Sequence, residues 1–369
     1  MKYYLIAGEA SGDLHGANLM KSILKEDPNA EFRFWGGDLM QSVGGTMVLH
    51  YKERAFMGFF EVIMNLFKIL GFIKQCKKDI EQYNPDALVL IDNSGFNLRI
   101  AEWAKPKGYI THYYISPQVW ASRAGRVKTI KANVDHMYVI LPFVSDFYKK
   151  YNYEVNFVGH PLIDAIADHN QVIPDNFKKQ YQLDERPIIA ILPGSRKQEI
   201  TKMLEVMLSV VDDFPSYQFV IAGAPSQDEK FYEPFIKKEG VHLIMNRTYD
   251  ILSLSNAALV TSGTATLETA LFKVPQVVCY KGNTISYHIA KKIINLEYIS
   301  LVNLIMDKPV VKELIQGDFN TKQLKEELIK ILDDYKRAVM FLEYYDLEKK
   351  LGGKGASDKT ANLIVETVK

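Results

Sequence analysis

Short apolar runs of β type alternate with helix-patterned segments along nearly the whole chain, and the alternation runs through twice. Positions 3–7, 32–35, 87–91, 110–115 and 137–140 read as strands, with a helix expected over 16–25 after the first. After Gly159-His160-Pro161 the pattern restarts, with strands expected over 188–192, 218–222, 242–245, 258–261 and 276–280. Strands joined through helices pair in parallel, and parallel sheets are covered by helices on both faces. The double alternation therefore predicts an α/β chain with two sheets, and 369 residues suit two domains. Their expected bounds are 1–165 and 166–345, with a linker region over 161–187. Helices are expected at 322–342 and 358–368, and residues 346–369 form a C-terminal helical segment expected to cross back to the first domain.

Composition narrows the function classes. A hydrophobic content of 47% with 24% charged residues is that of a chain with a full core. The net charge of +1 gives no support to non-specific nucleic-acid binding, which depends on clustered positive charge. Cys76 and Cys279 lie far apart in the chain and match no metal-ligand spacing, as expected of a reduced, cytoplasmic protein. Met1-Lys2 leads straight into a strand with no cleavage-site pattern, so no signal peptide is expected.

Residues 56–73 resist that description. Their only polar side chains, Glu61, Asn65 and Lys68, fall at i, i+4 and i+7 and form one narrow stripe on a helix. Phe59, Phe60, Ile63, Met64, Phe67 and Leu70 occupy the rest of the circumference. The charges inside and just after the run argue against a membrane span. A buried core or interface helix and a helix in contact with membrane or acyl chains both fit.

Ligands of open parallel sheets sit beyond the carboxyl ends of the strands, so the turns there matter most. Gly8-Glu9-Ala10-Ser11-Gly12-Asp13 follows the first strand; it suits close backbone approach to a ligand but is also a common kind of turn. Ile91-Asp92-Asn93-Ser94-Gly95-Phe96-Asn97 places a carboxylate at a strand end, where Asp92 either takes a proton from an attacking hydroxyl or caps the next helix. In the second half, Gly194, Ser195 and Arg196 combine a turn rich in backbone donors with a guanidinium suited to phosphate. Ser262, Gly263 and Thr264 lead into a helix whose N-terminus suits a diphosphate, and Glu268 lies about one turn in, placed for ribose hydroxyls. No Asp-X-Asp triplet occurs, so a nucleotide-sugar enzyme built this way is expected to work without a metal, and no cofactor is expected.

Taken together, these motifs resemble the lipid A disaccharide synthases, GT-B-type glycosyltransferases of Gram-negative bacteria. The likeness runs nearly end to end. It includes Met57-Gly58 with Glu61-Val62, Ser116-Pro117-Gln118-Val119-Trp120-Ala121, Leu141-Pro142-Phe143, Gly159-His160-Pro161-Leu162 and Ser300-Leu301-Val302-Asn303-Leu304, besides the turns above. The chain departs from the family pattern at Ser94-Gly95 and at Ser122. The resemblance implies two Rossmann-like domains facing across a cleft, the first taking an acyl-sugar acceptor and the second UDP. It implies transfer from UDP-2,3-diacylglucosamine to lipid X, giving a β-1,6-linked disaccharide and UDP. Asp92, Glu9 and Arg196 would be catalytic, Asn303 would join the UDP site, and Ser11 and Arg123 the acceptor side. Residues 56–73 would then contact acyl chains and the inner leaflet of the cytoplasmic membrane, with the enzyme peripheral to it and a homodimer open. Rival expectations are another UDP-N-acetylglucosamine enzyme, either a peptidoglycan-precursor transferase or a 2-epimerase, and a non-catalytic lipid-binding scaffold.

Overall fold

The first apolar run forms β1 (Lys2–Ala7), whose last five residues are all buried, because it lies in the middle of its sheet with helices on either face. In the computed structural model, which describes residues 1–54, 66–122, 124–169, 176–282 and 297–369, the chain divides into two units. One is Met1–Ala165 together with Leu351–Lys369, and the other is Ile166–Lys350.

The first unit carries β1, β2 (Glu31–Gly36), β3 (Thr46–His50), β4 (Ala87–Ile91), β5 (Thr111–Tyr114), β6 (His136–Val139) and β7 (Asn156–Phe157). Their order is β3-β2-β1-β4-β5-β6-β7 with every pair parallel. The winding direction therefore reverses between β1 and β4. The helices used below are α1 (Ala10–Glu26), α2 (Asp38–Val43), α3 (Leu66–Tyr83) and α4 (Ser94–Ala104). The second unit repeats the plan with β8 (Ile188–Leu192), β9 (Gln218–Gly223), β10 (Val241–Met245), β11 (Ser255–Thr261), β12 (Gln276–Tyr280) and β13 (Lys312–Ile315). Its order is β10-β9-β8-β11-β12-β13, again parallel, with the reversal between β8 and β11.

Apolar residues alternate onto both faces of these strands. In the first unit Leu5, Phe34, Val89 and Ile91 pack with Leu19, Met20 and Ile23 of α1, each buried large side chain contributing ~1.5–3 kcal/mol. On the other face Asp79 of α3 accepts from Tyr4 Oη at 2.7 Å and from Arg33 Nε at 2.8 Å, while Trp35 Nε1 donates to Tyr4 Oη at 2.8 Å. The final helix, Ala356–Glu366, belongs to this first core through Ala361, Ile364 and Val365. Its first turn is fastened by the Asp164 carboxylate, which accepts from Gly355 N at 2.7 Å and Ser357 N at 3.2 Å.

Several expected elements differ in detail. Helix α1 starts at Ala10, six residues before the expected 16–25, so the glycine-containing turn is already its first turn. Gly12 sits there because a β-carbon would stand 3.3 Å from the Ala7 side chain. Strands β3, β7 and β13 were not expected; each is short and lies at or beside a sheet edge, where hydrophobic patterning is weak. The single helix expected over 322–342 is two, Thr321–Leu332 and Asp334–Lys350, because Asp333 is extended and its carboxylate accepts from Lys336 N at 3.1 Å, capping the second. The expected linker region opens with the helix Pro161–His169.

Candidate active site

Ala7 of β1 is the register partner of Ile91 of β4, so the chain leaves both strands side by side at the switch point of the first sheet. Glu9 is the residue before α1, extended at φ −148°, and Glu9, Ala10 and Ser11 are exposed. Asp13, one turn on, is buried and accepts from Gly37 N at 2.7 Å, Leu39 N at 3.0 Å and Met40 N at 3.1 Å. It thus caps α2 from a neighbouring helix. A sequence scan misses this because the amides it serves lie 24 to 27 residues away.

Asp92 follows β4 directly with left-handed backbone, φ +46°, and Asn93 comes next at +42°. Gly8 faces this turn, and a β-carbon on it would lie 2.0 Å from Asn93 Nδ2. The Asp92 amide makes a last ladder bond to Tyr114 O at 3.0 Å. Asn93 precedes α4 without a side-chain cap bond to it. The Asp92 side chain reaches solvent, yet the packed turn around it raises its pKa above the ordinary carboxylate range, and the negative Glu9 adds to the rise. A carboxylate so placed is a better proton acceptor than an isolated one.

Of the apolar run, the described part begins at Leu66. Phe67 is 88% exposed and Leu70 52% exposed, whereas Ile73, Cys76 and Ile80 of the same helix are buried. Phe72 packs edge-on against Trp35 at 6.3 Å. Phe59, Phe60, Ile63, Met64 and Arg123 lie outside the described residues. No described helix is long and apolar enough to cross a membrane.

The switch point of the second sheet, between β8 and β11, carries the other motif turns. Gly194 adopts φ +103°, with its would-be β-carbon 3.3 Å from the Thr261 side chain. Ser195 O accepts from Ser226 Oγ at 2.8 Å and Gln227 Nε2 at 3.2 Å. Arg196 precedes the helix Lys197–Met207, and its guanidinium is 76% exposed with Glu199 at 3.1 Å. Ser262 N bonds Cys279 O at 3.3 Å and its hydroxyl donates to Ile299 O at 2.9 Å, so its amide and hydroxyl hydrogens are both engaged. Gly263, at φ +146°, has open space where a side chain would start, and the helix Thr264–Leu271 begins with no side-chain cap. The first N–H groups of a helix have no partner within the helix and are suited to anionic oxygens.

Glu268 Oε1 accepts from Tyr249 Oη at 2.9 Å, and burial raises the carboxyl's pKa despite that bond. Tyr249 gave no sequence signal, since its partner lies 19 residues on and its own helix, Thr248–Leu254, carries no motif. Asn303 is buried, with Nδ2 donating to Val311 O at 2.9 Å and Glu313 Oε1 at 3.0 Å, while its Oδ1 accepts from Val311 N at 2.9 Å. Glu313 also accepts from Ile299 N and Ser300 N at 3.0 and 2.9 Å. Here the Asn303 side chain is spent on holding the segment after residue 297 rather than presented to solvent.

Two doubly wound parallel sheets with motif turns at both switch points define the fold of the GT-B glycosyltransferases and the related sugar-nucleotide epimerases. Among solved structures, the chain is similar to a UDP-GlcNAc 2-epimerase from Neisseria meningitidis bound to UDP-GlcNAc, with TM-score 0.66 and 14% identity over 100% of this chain and 99% of that one. It is also similar to the glycotransferase of kitacinnamycin, with TM-score 0.65 and 10% identity over 100% and 98% of the two chains. Likeness at that identity speaks for the fold. The family follows from sequence: the model of the lipid-A-disaccharide synthetases matches residues 3–365, and the chain belongs to that family of glycosyltransferases. It is 39% identical to the lipid-A-disaccharide synthase of Syntrophus aciditrophicus, over 99% of this chain and 97% of the relative. For the enzymes of that name from Coxiella burnetii and Geobacter sulfurreducens the identities are 37% and 36%, each over 98% and 96% of the two chains.

Proposed function

We propose that this glycosyltransferase joins UDP-2,3-diacylglucosamine to lipid X, forming the β-1,6-linked disaccharide 1-phosphate and releasing UDP. One observation carries the reading: Glu9 and Asp92 lie at the switch point of one sheet, and Gly194–Arg196 and Ser262–Thr264 lie at the switch point of the other. Asp92 accepts the proton of the acceptor's 6-hydroxyl as its oxygen attacks the anomeric carbon from the face opposite UDP, so the configuration inverts in a single displacement. The Arg196 guanidinium and the N–H groups at Gly263 and Thr264 stabilise the departing diphosphate, and Glu268, held by Tyr249, accepts from the ribose hydroxyls. No step calls on a metal ion.

The acceptor and donor both carry acyl chains, which supports a peripheral site of work at the inner leaflet of the cytoplasmic membrane. Phe67 and Leu70 supply exposed apolar surface suited to it. The test is UDP release from UDP-2,3-diacylglucosamine by purified protein. Release is expected only with lipid X present. Conversion of UDP-N-acetylglucosamine to its 2-epimer without any acceptor would instead establish the epimerase reading.

A further inference from the structure

Asp92 does not hold its unusual backbone alone. Residues other than glycine at positive φ are uncommon, and here two stand in succession, Asp92 at +46° and Asn93 at +42°. The adjoining strand end is strained as well: Ile115, a β-branched residue just past β5, has φ +64°. Something must oppose the tendency of the β4 end to relax to extended backbone. Two buried side chains do so by converging on one atom, the Asp92 carbonyl oxygen. Tyr113 Oη donates to it at 2.5 Å, and Asn97 Nδ2 donates to it at 2.9 Å. The same Asn97 nitrogen lies 3.0 Å from Ile91 O and 3.3 Å from Ile6 O, so it also ties the ends of β4 and β1 together. Neither residue has exposed surface to offer a ligand.

We propose that Tyr113 and Asn97 are positioning residues for the reaction, fixing the left-handed backbone of Asp92 through its carbonyl oxygen and thereby the placement of its carboxylate. The proposal rests on the reading of Asp92 as the base. Burial raises the Tyr113 hydroxyl well above its ordinary pKa, so it remains a donor at any working pH. Turning the Asp92 peptide out of this grip would move the carboxylate away from the attacking hydroxyl, and misplacement of about 1 Å at a reacting group costs on the order of 100-fold in rate.

The experiment compares Tyr113→Phe, Asp92→Asn and the double variant for turnover, KM for lipid X and UDP affinity, using the full chain. Tyr113→Phe removes one hydroxyl and keeps the ring, and Asn97 still holds the carbonyl, so the variant is expected to fold with a near wild-type melting temperature. The expected result is kcat lowered about 10- to 100-fold with KM and UDP affinity little changed. In the Asp92→Asn background, the second substitution should cost nothing further, because the carboxylate that Tyr113 places is already gone. Full turnover in Tyr113→Phe overturns the positioning role while leaving the base intact. Equal fractional losses in the two backgrounds overturn it too, since they mark a purely structural effect. Wild-type turnover in Asp92→Asn removes the base reading itself and the positioning role with it. Asn97→Ala serves as the second variant: if it folds, its loss should likewise vanish in the Asp92→Asn background, and a loss that persists there counts against Asn97 as a positioning residue.

Discussion

Gly8 and Asn93 meet so closely that a β-carbon on Gly8 would stand 2.0 Å from Asn93 Nδ2 and 2.6 Å from Asn93 Cγ. The turn after β1 and the turn after β4 are thus interlocked, with Glu9 the next residue after Gly8 and Asp92 the residue before Asn93. Gly8→Ala forces the Asn93 side chain to move, and with it a turn already in left-handed backbone. Turnover should fall by at least about tenfold while the donor unit's UDP affinity stays as in the wild type. Steady-state kinetics with calorimetric UDP titration check this; unchanged kcat would mean that the interlock is slack.

The raised pKa of Asp92 makes a signed prediction about pH. Its first cause is burial and its second the Glu9 charge, both of which disfavour the ionised carboxylate. The base must be ionised to accept a proton, so kcat/KM should rise with pH through a limb lying above the usual carboxylate range. Glu9→Gln removes only the second cause. Its limb should shift to lower pH yet remain above the ordinary value, whatever the change in maximal rate. A limb that stays in place would show that Glu9 is not felt at Asp92.

On the donor side, Arg196→Ala and Glu268→Ala each delete an ionisable side chain that the proposed reading sets against UDP. A hydrogen bond to a charged group contributes about 1.5–3 kcal/mol, which corresponds to about 10- to 100-fold in Kd. Tyr249→Phe should give a smaller loss in the same direction, because Glu268 keeps its charge but loses the bond that orients it. A chelator should leave all these affinities unchanged. Asn303→Ala should behave differently, lowering the melting temperature first, since it strands the buried Val311 backbone groups. Calorimetry and thermal melts on the four variants separate ligand contact from loop support.

Much of this was legible in the sequence because it is written locally. The central strands are short apolar runs, and the switch-point turns carry glycine and polar residues at strand ends, so Asp92, Arg196 and Gly263 could be found one turn at a time. What stayed hidden depends on pairs distant in sequence. Tyr113 reaches the Asp92 carbonyl across 21 residues, and Asp13 reaches Gly37 across 24. The half-exposed edge strand β3 offers an apolar run of only three residues, Met47-Val48-Leu49, shorter than those that mark β1 and β4. The break at Asp333 was missed because an acidic pair inside a helical pattern reads as surface, although one of the two is a cap.

The apolar run over 56–73 supplies the last prediction. On α3 the side chains of Ile73, Cys76 and Ile80 point into the first unit, while Phe67 and Leu70, at i and i+3, face outward together. A helix with its inner face already buried needs no further partner to be stable, so the outer pair is available to acyl chains. Burying each contributes ~1.5–3 kcal/mol, enough for the pair to hold the protein loosely at a bilayer surface. Phe67→Ser with Leu70→Ser should therefore leave the melting temperature within a few degrees of wild type, because little core packing is lost. Flotation with phospholipid vesicles should show the variant released from the membrane fraction, and KM for lipid X should rise while UDP affinity holds. Ile73→Ser is the contrasting control, expected to lower the melting temperature sharply. If the Phe67 and Leu70 variant unfolds as Ile73→Ser does, or floats with vesicles as well as the wild type, the outward pair has no part in holding lipid.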